Sequence, residues 1–159
     1  MCSSDLTYKD DISTFDPAIG YDWQNWSMIK SLFDGLMDYK PGTTELIPDL
    51  AESYTISPDG LTYNFKLRKD VVFHNGRGLT SADIKYSIER SVNPETQSPG
   101  QGFFWQIVGY EAMVSDGAKE LSGITTPDDY TVIINLSPDR KTLGVGKRVN
   151  LGGRRLLTK

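Results

Sequence analysis

A chain of 159 residues with 38% hydrophobic and 11% aromatic side chains carries enough apolar surface to bury a core, which excludes disorder of the whole chain. No apolar run reaches the roughly 18 residues that a membrane helix needs. With Cys2 as the single cysteine, neither an intramolecular disulfide nor a cysteine-built metal centre can form. The charge is uneven: residues 139–159 hold seven basic side chains against one acid, leaving 10 basic against 20 acidic in residues 1–138, and so acidic a body argues against nucleic acid or an anionic membrane as partner.

Residues 1–9 suggest a short strand, and no intact secretory signal is legible in them. Cys2-Ser3-Ser4 resembles a lipoprotein attachment point, but only Met1 precedes it, so lipidation is not expected. Ser13-Thr14-Phe15-Asp16-Pro17 reads as a turn. Trp26, Ile29, Phe33 and Leu36 then recur at helical spacing on one face, with Gly35 near the helix end and Pro41-Gly42 marking a loop. Residues 50–68 alternate apolar and polar side chains on both sides of Asp59-Gly60, a strong hairpin signal. Pairing of 54–57 with 61–67 is expected, with Leu61, Tyr63, Phe65 and Leu67 on one face and Thr62, Asn64, Lys66 and Arg68 on the other.

Val71-Val72-Phe73 predicts a short strand closed by a turn at Asn75-Gly76. A helix over about 81–92 is the best marked in the chain. Thr80 and Asp83 form a capping-box variant, Leu79 and Ile84 a hydrophobic staple, and Ile84, Ile88 and Val92 a buried stripe ended by Asn93-Pro94. Residues 103–114 read as helical, with Phe103, Phe104 and Trp105 favoured as core. The last ordered pair is 124–126 and 130–136 around a Pro127-Asp128-Asp129 turn, with Tyr130, Val132, Ile134 and Leu136 on one face. This mixed order of elements predicts an α+β (mixed α/β) fold.

Several motifs then stand in order. They are Thr14-Phe15-Asp16-Pro17, Leu32-Phe33-Asp34-Gly35-Leu36, Pro48-Asp49-Leu50-Ala51-Glu52-Ser53, Asp59-Gly60-Leu61-Thr62-Tyr63 and Leu67-Arg68-Lys69. Val72-Phe73-His74-Asn75-Gly76, Leu79-Thr80-Ser81-Ala82-Asp83, Ser98-Pro99, Ser122-Gly123-Ile124 and Asp129-Tyr130-Thr131-Val132 follow. Together, over about residues 7–137, they resemble the amino-terminal part of the family 5 extracellular solute-binding proteins, the dipeptide and oligopeptide receptors of ABC importers.

The resemblance implies part of a two-lobed type II periplasmic-binding-protein fold. Residues 7–37 would begin the first lobe, 38–137 would form the small mixed subdomain, and 138–159 would be a non-native, disordered tail. Residues 139–159 and 2–6 resemble translated sequencing-library adapter, so the tail is expected to pack little and its deletion to leave the melting temperature almost unchanged.

The implied function is capture of a peptide or similar small solute for import. The partners would be ABC permease subunits, the location periplasmic or extracytoplasmic, the state monomeric, and no cofactor would be needed. In the family the segment after the Asp-Pro turn runs along the cleft and pairs its backbone with the ligand peptide. The resemblance therefore points to Tyr21, Asp22 and Trp23 as ligand-binding, the rings as flat apolar walls and the carboxylate as partner of a ligand cation. The competing reading has Trp23 and Trp26 packing the lobe core and Asp22 capping the helix.

Other chemistries find less support. His74 is the only histidine, so a Ser-His-Asp arrangement or a zinc site would depend on it alone, and beside Asn75-Gly76 it reads as a turn residue. Gly144-Val145-Gly146-Lys147-Arg148 fails as a phosphate loop, because Lys141 and Arg148 stand where Gly and Ser or Thr are needed. The rival class is a secreted hydrolase or glycosidase domain working through acidic residues. It predicts two carboxylates converging in a pocket, whereas a binding lobe predicts an open face rich in aromatic rings, and a pure interaction module predicts no concave surface near Tyr21.

Overall fold

A computed structural model describes residues 12–138; the expectations for residues 1–9, Cys2 and the tail 139–159 lie outside the described residues. In chain order they form α1 (Trp23–Leu32), β1 (Met37–Tyr39), β2 (Leu46–Pro48), β3 (Ala51–Ile56), β4 (Thr62–Leu67), α2 (Ser81–Val92), α3 (Tyr110–Ser115), β5 (Ile124–Asp128) and β6 (Thr131–Asn135). Two 3-10 turns, Pro94–Thr96 and Gln101–Phe104, lie between α2 and α3. β1 and β2 pair as a separate antiparallel ribbon, and the other strands make one antiparallel sheet in the order β3-β4-β6-β5. The expected α+β class is what forms. No described helix is long and apolar enough to cross a membrane.

The core follows from the two periodicities. Alternation along β4 turns Tyr63, Phe65 and Leu67 to one face, where they meet Val132 and Ile134 of β6 and Ile84, Ile88 and Val92 of α2. Burying Phe65 completely contributes roughly 1.5–3 kcal/mol. The hairpin pairs as expected, Tyr54 opposite Phe65 and Ile56 opposite Tyr63. Its connection is longer than a two-residue turn. Pro58 and Asp59 are the central residues, Gly60 N–H donates to the Ser57 carbonyl at 2.8 Å, and Gly60 takes the left-handed φ of 71° that favours glycine. Because α2 packs over β5 and β6, at the far side of the sheet from β3, Tyr54 and Ile56 stay exposed although they share the core face.

The α2 start is built as its sequence suggests. The Asp83 carboxylate accepts from the Thr80 N–H at 2.9 Å and from the Thr80 hydroxyl at 3.0 Å, while Arg77 pairs with it through two guanidinium nitrogens. Burial pushes the Asp83 carboxyl up, but the hydrogen bonds from Arg77 and Thr80 outweigh it and hold the group below its usual range. A depressed folded value means that Asp83 stabilises the fold above the unfolded pKa of about 3.9 and loses that contribution as pH falls through the folded value. The melting-temperature gap between wild type and Asp83→Asn should therefore be constant above about pH 5 and close below about pH 4. A gap that persists unchanged in acid would show that the charge is not what stabilises the cap.

Three expectations are corrected. First, α1 ends at Leu32 and Leu36 is not on it. Phe33 is already extended, and the Leu36 carbonyl accepts from the Asp49 and Ala51 N–H groups at 3.2 and 3.1 Å, so pairing with 49–51 overrides the helical period. Second, residues 103–114 are not one helix. Val108 N–H donates to the Asn135 carbonyl at 3.0 Å and Ser137 N–H to the Gln106 carbonyl at 2.8 Å, drawing 106–108 into pairing beyond the end of β6, and only after Gly109, at φ 90°, does α3 begin. Third, the strand at 71–73 reduces to one bridge, Val72 with Gly78, although its turn at Gly76 forms.

Candidate functional site

The segment before α1 is a set of locked turns. Thr14 Oγ1 accepts from the Asp16 N–H at 3.0 Å and Asp16 Oδ1 from the Ala18 N–H at 3.0 Å, while the Asp16 carbonyl accepts from Gly20 at 2.7 Å. A Cβ on Gly20 would stand 2.7 Å from Ile29 Cδ1, 3.2 Å from the Asp16 carbonyl oxygen and 3.3 Å from Asn25 Cβ, so the turn packs closely onto α1. Asn25, 1% exposed, is almost saturated. Its Nδ2 donates to Ser13 Oγ at 2.7 Å and to Asp22 Oδ2 at 2.8 Å, and its Oδ1 accepts from the Ser13 N–H at 3.2 Å.

Asp22 is the α1 N-cap, its Oδ1 accepting from the Asn25 N–H at 2.7 Å. Both of its oxygens are thus engaged within the fold. The two rings beside it face outward: Trp23 is 81% exposed and Tyr21 42%. Core packing of Trp23, the competing reading, does not occur, and Trp26 is half-buried. Trp23 and Trp26 meet edge to face with centroids 5.4 Å apart, Trp26 and Tyr21 do the same at 5.4 Å, and Tyr21 stacks on Phe103 at 6.5 Å. Four rings therefore run as one surface from α1 to the 3-10 turn Gln101–Phe104.

Phe103 corrects the second aromatic cluster. Phe103 and Trp105 are exposed, and only Phe104 packs against the core. Successive residues of a helical turn point in different directions, and the turn Gln101–Phe104 aims Phe104 at the core while its neighbours Phe103 and Trp105 face outward. Sequence reasoning missed Phe103 as a partner of Tyr21, and no local signal reports a contact across 82 residues.

Among the described residues, the carboxylates that share a groove do so beside basic side chains, Arg68 and Lys69. Asp49 is the only described carboxylate with a resolved upward shift, raised by burial and then by the neighbouring Asp34 charge, and it accepts from the Gly35 N–H at 3.3 Å. It borders a groove with Glu52 and Asp70, but Arg68 occupies Asp70 through two hydrogen bonds of 3.1 and 2.8 Å. His74 lies exposed on the turn before Gly76, and no group of three or more potential metal ligands occurs among the described residues.

Residues 45–145 match the family described as bacterial extracellular solute-binding proteins, family 5 Middle. The chain is 29% identical over 134 residues to the dipeptide-binding protein DppE of Bacillus subtilis, covering 81% of this chain and 24% of that protein. It is 35% identical over 124 residues to the glutathione-binding protein GsiB of Pectobacterium atrosepticum, covering 78% and 21%. The solved substrate-binding domain of an oligopeptide ABC transporter from Bacillus anthracis superposes with a TM-score of 0.77 at 29% identity, over 82% of this chain and 25% of that one. The chain spans about a quarter of the length of these relatives, and the mixed helix-and-sheet fold is that of the corresponding part of periplasmic binding proteins.

Proposed function

We propose that this chain, which belongs to the bacterial extracellular solute-binding proteins of family 5, forms one wall of a cleft that holds a peptide for an ABC importer. The observation that carries the reading is the outward-facing ring surface of Tyr21, Trp23, Trp26 and Phe103 on a backbone fixed by Asp22 and Asn25. Large exposed rings on a rigid frame cost little conformational entropy on binding and offer flat apolar contact. Tyr21 and Trp23 contact the ligand, and the backbone around them pairs with an extended peptide in a way that ignores side-chain identity. Asp22 acts by holding that backbone, since its oxygens serve Asn25.

Relatives named for dipeptide, glutathione and oligopeptide binding share a peptide-like ligand, and the same class is assigned here. Residues 7–37 begin the ligand-facing lobe and 38–137 form the small subdomain. In support, Ala18 and Ile29 are buried apart from the main core, whose first member is Leu36. The whole receptor is a monomer outside the cytoplasm that delivers its ligand to membrane permease subunits, without cofactor, nucleic acid or chemical reaction.

The test uses a receptor in which residues 12–138 are completed with the remaining length of a relative. Titration calorimetry with a mixed peptide library should show binding, and Trp23→Ala should weaken it by about 1–3 kcal/mol, roughly 5- to 150-fold. Unchanged affinity would remove Trp23 from the site.

A further inference from the structure

The two halves of the ring surface come from segments far apart in sequence, and both are mounted on the last turns of one helix. On one side, Arg90 of α2 meets Asp16 with both terminal guanidinium nitrogens, Nη1 to Oδ1 at 2.8 Å and Nη2 to Oδ2 at 2.5 Å. This fork-to-fork geometry fixes orientation as well as distance. Asp16 in turn carries the turn that delivers Tyr21, through its carbonyl bonds to Ile19 and Gly20. On the other side, Gln101 Nε2 donates to the Val92 carbonyl at 2.6 Å, tying the 3-10 turn that presents Phe103 to the end of the same helix. Arg90 also lies in the last turn of α2, where a cation is favoured by the helix dipole.

We propose that Arg90 and Gln101 are positioning residues that set the ring surface: Arg90 clamps the Tyr21 half and Gln101 the Phe103 half onto α2, so that the Tyr21–Phe103 stack forms before any ligand arrives. The proposal deepens the peptide-binding reading by naming what assembles its site. It is tested without peptide, so its failure and the failure of that reading are distinguishable.

The experiment is nuclear magnetic resonance of the 159-residue chain with labelled aromatic rings. In wild type, Phe103→Ala removes the ring current over Tyr21 and should displace the Tyr21 ring resonances. In an Arg90→Gln background the same Phe103→Ala change should leave them almost unmoved, because the stack is already lost. Arg90→Lys, which keeps the charge but cannot form the fork, should retain only part of the response. Resonances of Ile84, Ile88 and Val132 in the main core should keep their wild-type positions in every variant. A residue that merely stabilised the fold would move them. Should Arg90→Gln not fold, Asp16→Asn and Gln101→Ala break the two mounts separately, and each alone should abolish the response. A full Tyr21 response to Phe103→Ala without Arg90, or without Gln101, overturns the proposal for that residue.

Discussion

Gly123→Ala is expected to remove about 3–5 kcal/mol of stability, a large part of the 5–15 kcal/mol typical of a domain. A Cβ at this position would stand 2.7 Å from the Val108 carbonyl oxygen, 2.8 Å from the Asn135 carbonyl oxygen and 2.8 Å from the Val108 nitrogen. All three neighbours are backbone, so no side chain can swing aside. The same atoms form a closed set of hydrogen bonds, Gly123 N–H to Val108 at 2.8 Å, Val108 N–H to Asn135 at 3.0 Å and Asn135 N–H to Gly123 at 2.7 Å. Each contributes about 0.5–1.5 kcal/mol net, and forcing a methyl between packed groups costs typically 1–3 kcal/mol more. Urea unfolding followed by circular dichroism measures the loss as a shift in midpoint. Gly78→Ala is the control, because its added methyl meets nothing within 4 Å and should stay within about 0.5 kcal/mol of wild type. A Gly123 variant as stable as that control would show that the junction of 106–108 with β6 yields easily. The junction matters for the site too, because it anchors the segment that presents Phe103.

What the sequence made legible was local. The β3–β4 hairpin and α2 announce themselves within a dozen residues, through alternation around Gly60 and through the Thr80–Asp83 cap followed by a stripe at spacing four. What it hid was set by partners distant along the chain. Leu36 fits the period of α1, yet Asp49 and Ala51 claim its carbonyl. Residues 106–108 sit inside an apparently helical stretch, yet the backbone of 135–137 claims them. The candidate site divides in the same way. Tyr21, Asp22 and Trp23 stand out as a cluster, and the choice between cap and ligand contact for Asp22 is framed by the helix start. The burial of Asn25, the stack of Tyr21 on Phe103 and the pairing of Asp16 with Arg90 depend on contacts spanning 12 to 82 residues. No periodicity or motif encodes those. Exposure misleads as well: aromatic clusters are more often core than surface, which favoured burial of Phe103 and Trp105, yet three consecutive residues of a helical turn cannot all face the core and only Phe104 does.

The 159-residue chain alone is expected to bind peptides no more tightly than about millimolar. Ligand sites of this kind bury most of the ligand surface, roughly 70–90% of it, and a clamshell does so with two walls. The ring surface of Tyr21, Trp23, Trp26 and Phe103 is one open face, in a chain that spans about a quarter of the length of its relatives. A receptor binding at 1 μM has about −8.2 kcal/mol, and retaining half of that leaves about −4.1 kcal/mol, which is 1 mM. The entropic cost of holding the ligand is not halved with the contacts, so the true value falls on the weak side of that figure. With Trp23 81% exposed, the same surface offers apolar area to a second copy of the chain, and self-association at high protein concentration would compete with peptide further. Calorimetry on the folded chain with a mixed peptide library, run beside the completed receptor, measures the difference directly. The expected gap is at least roughly a thousandfold, about 4 kcal/mol. Micromolar binding by the chain alone would mean that residues 12–138 already enclose a site, and the groove bordered by Ile19, Tyr86, Arg90, Met113 and Lys119 would then replace the ring surface as the place to look.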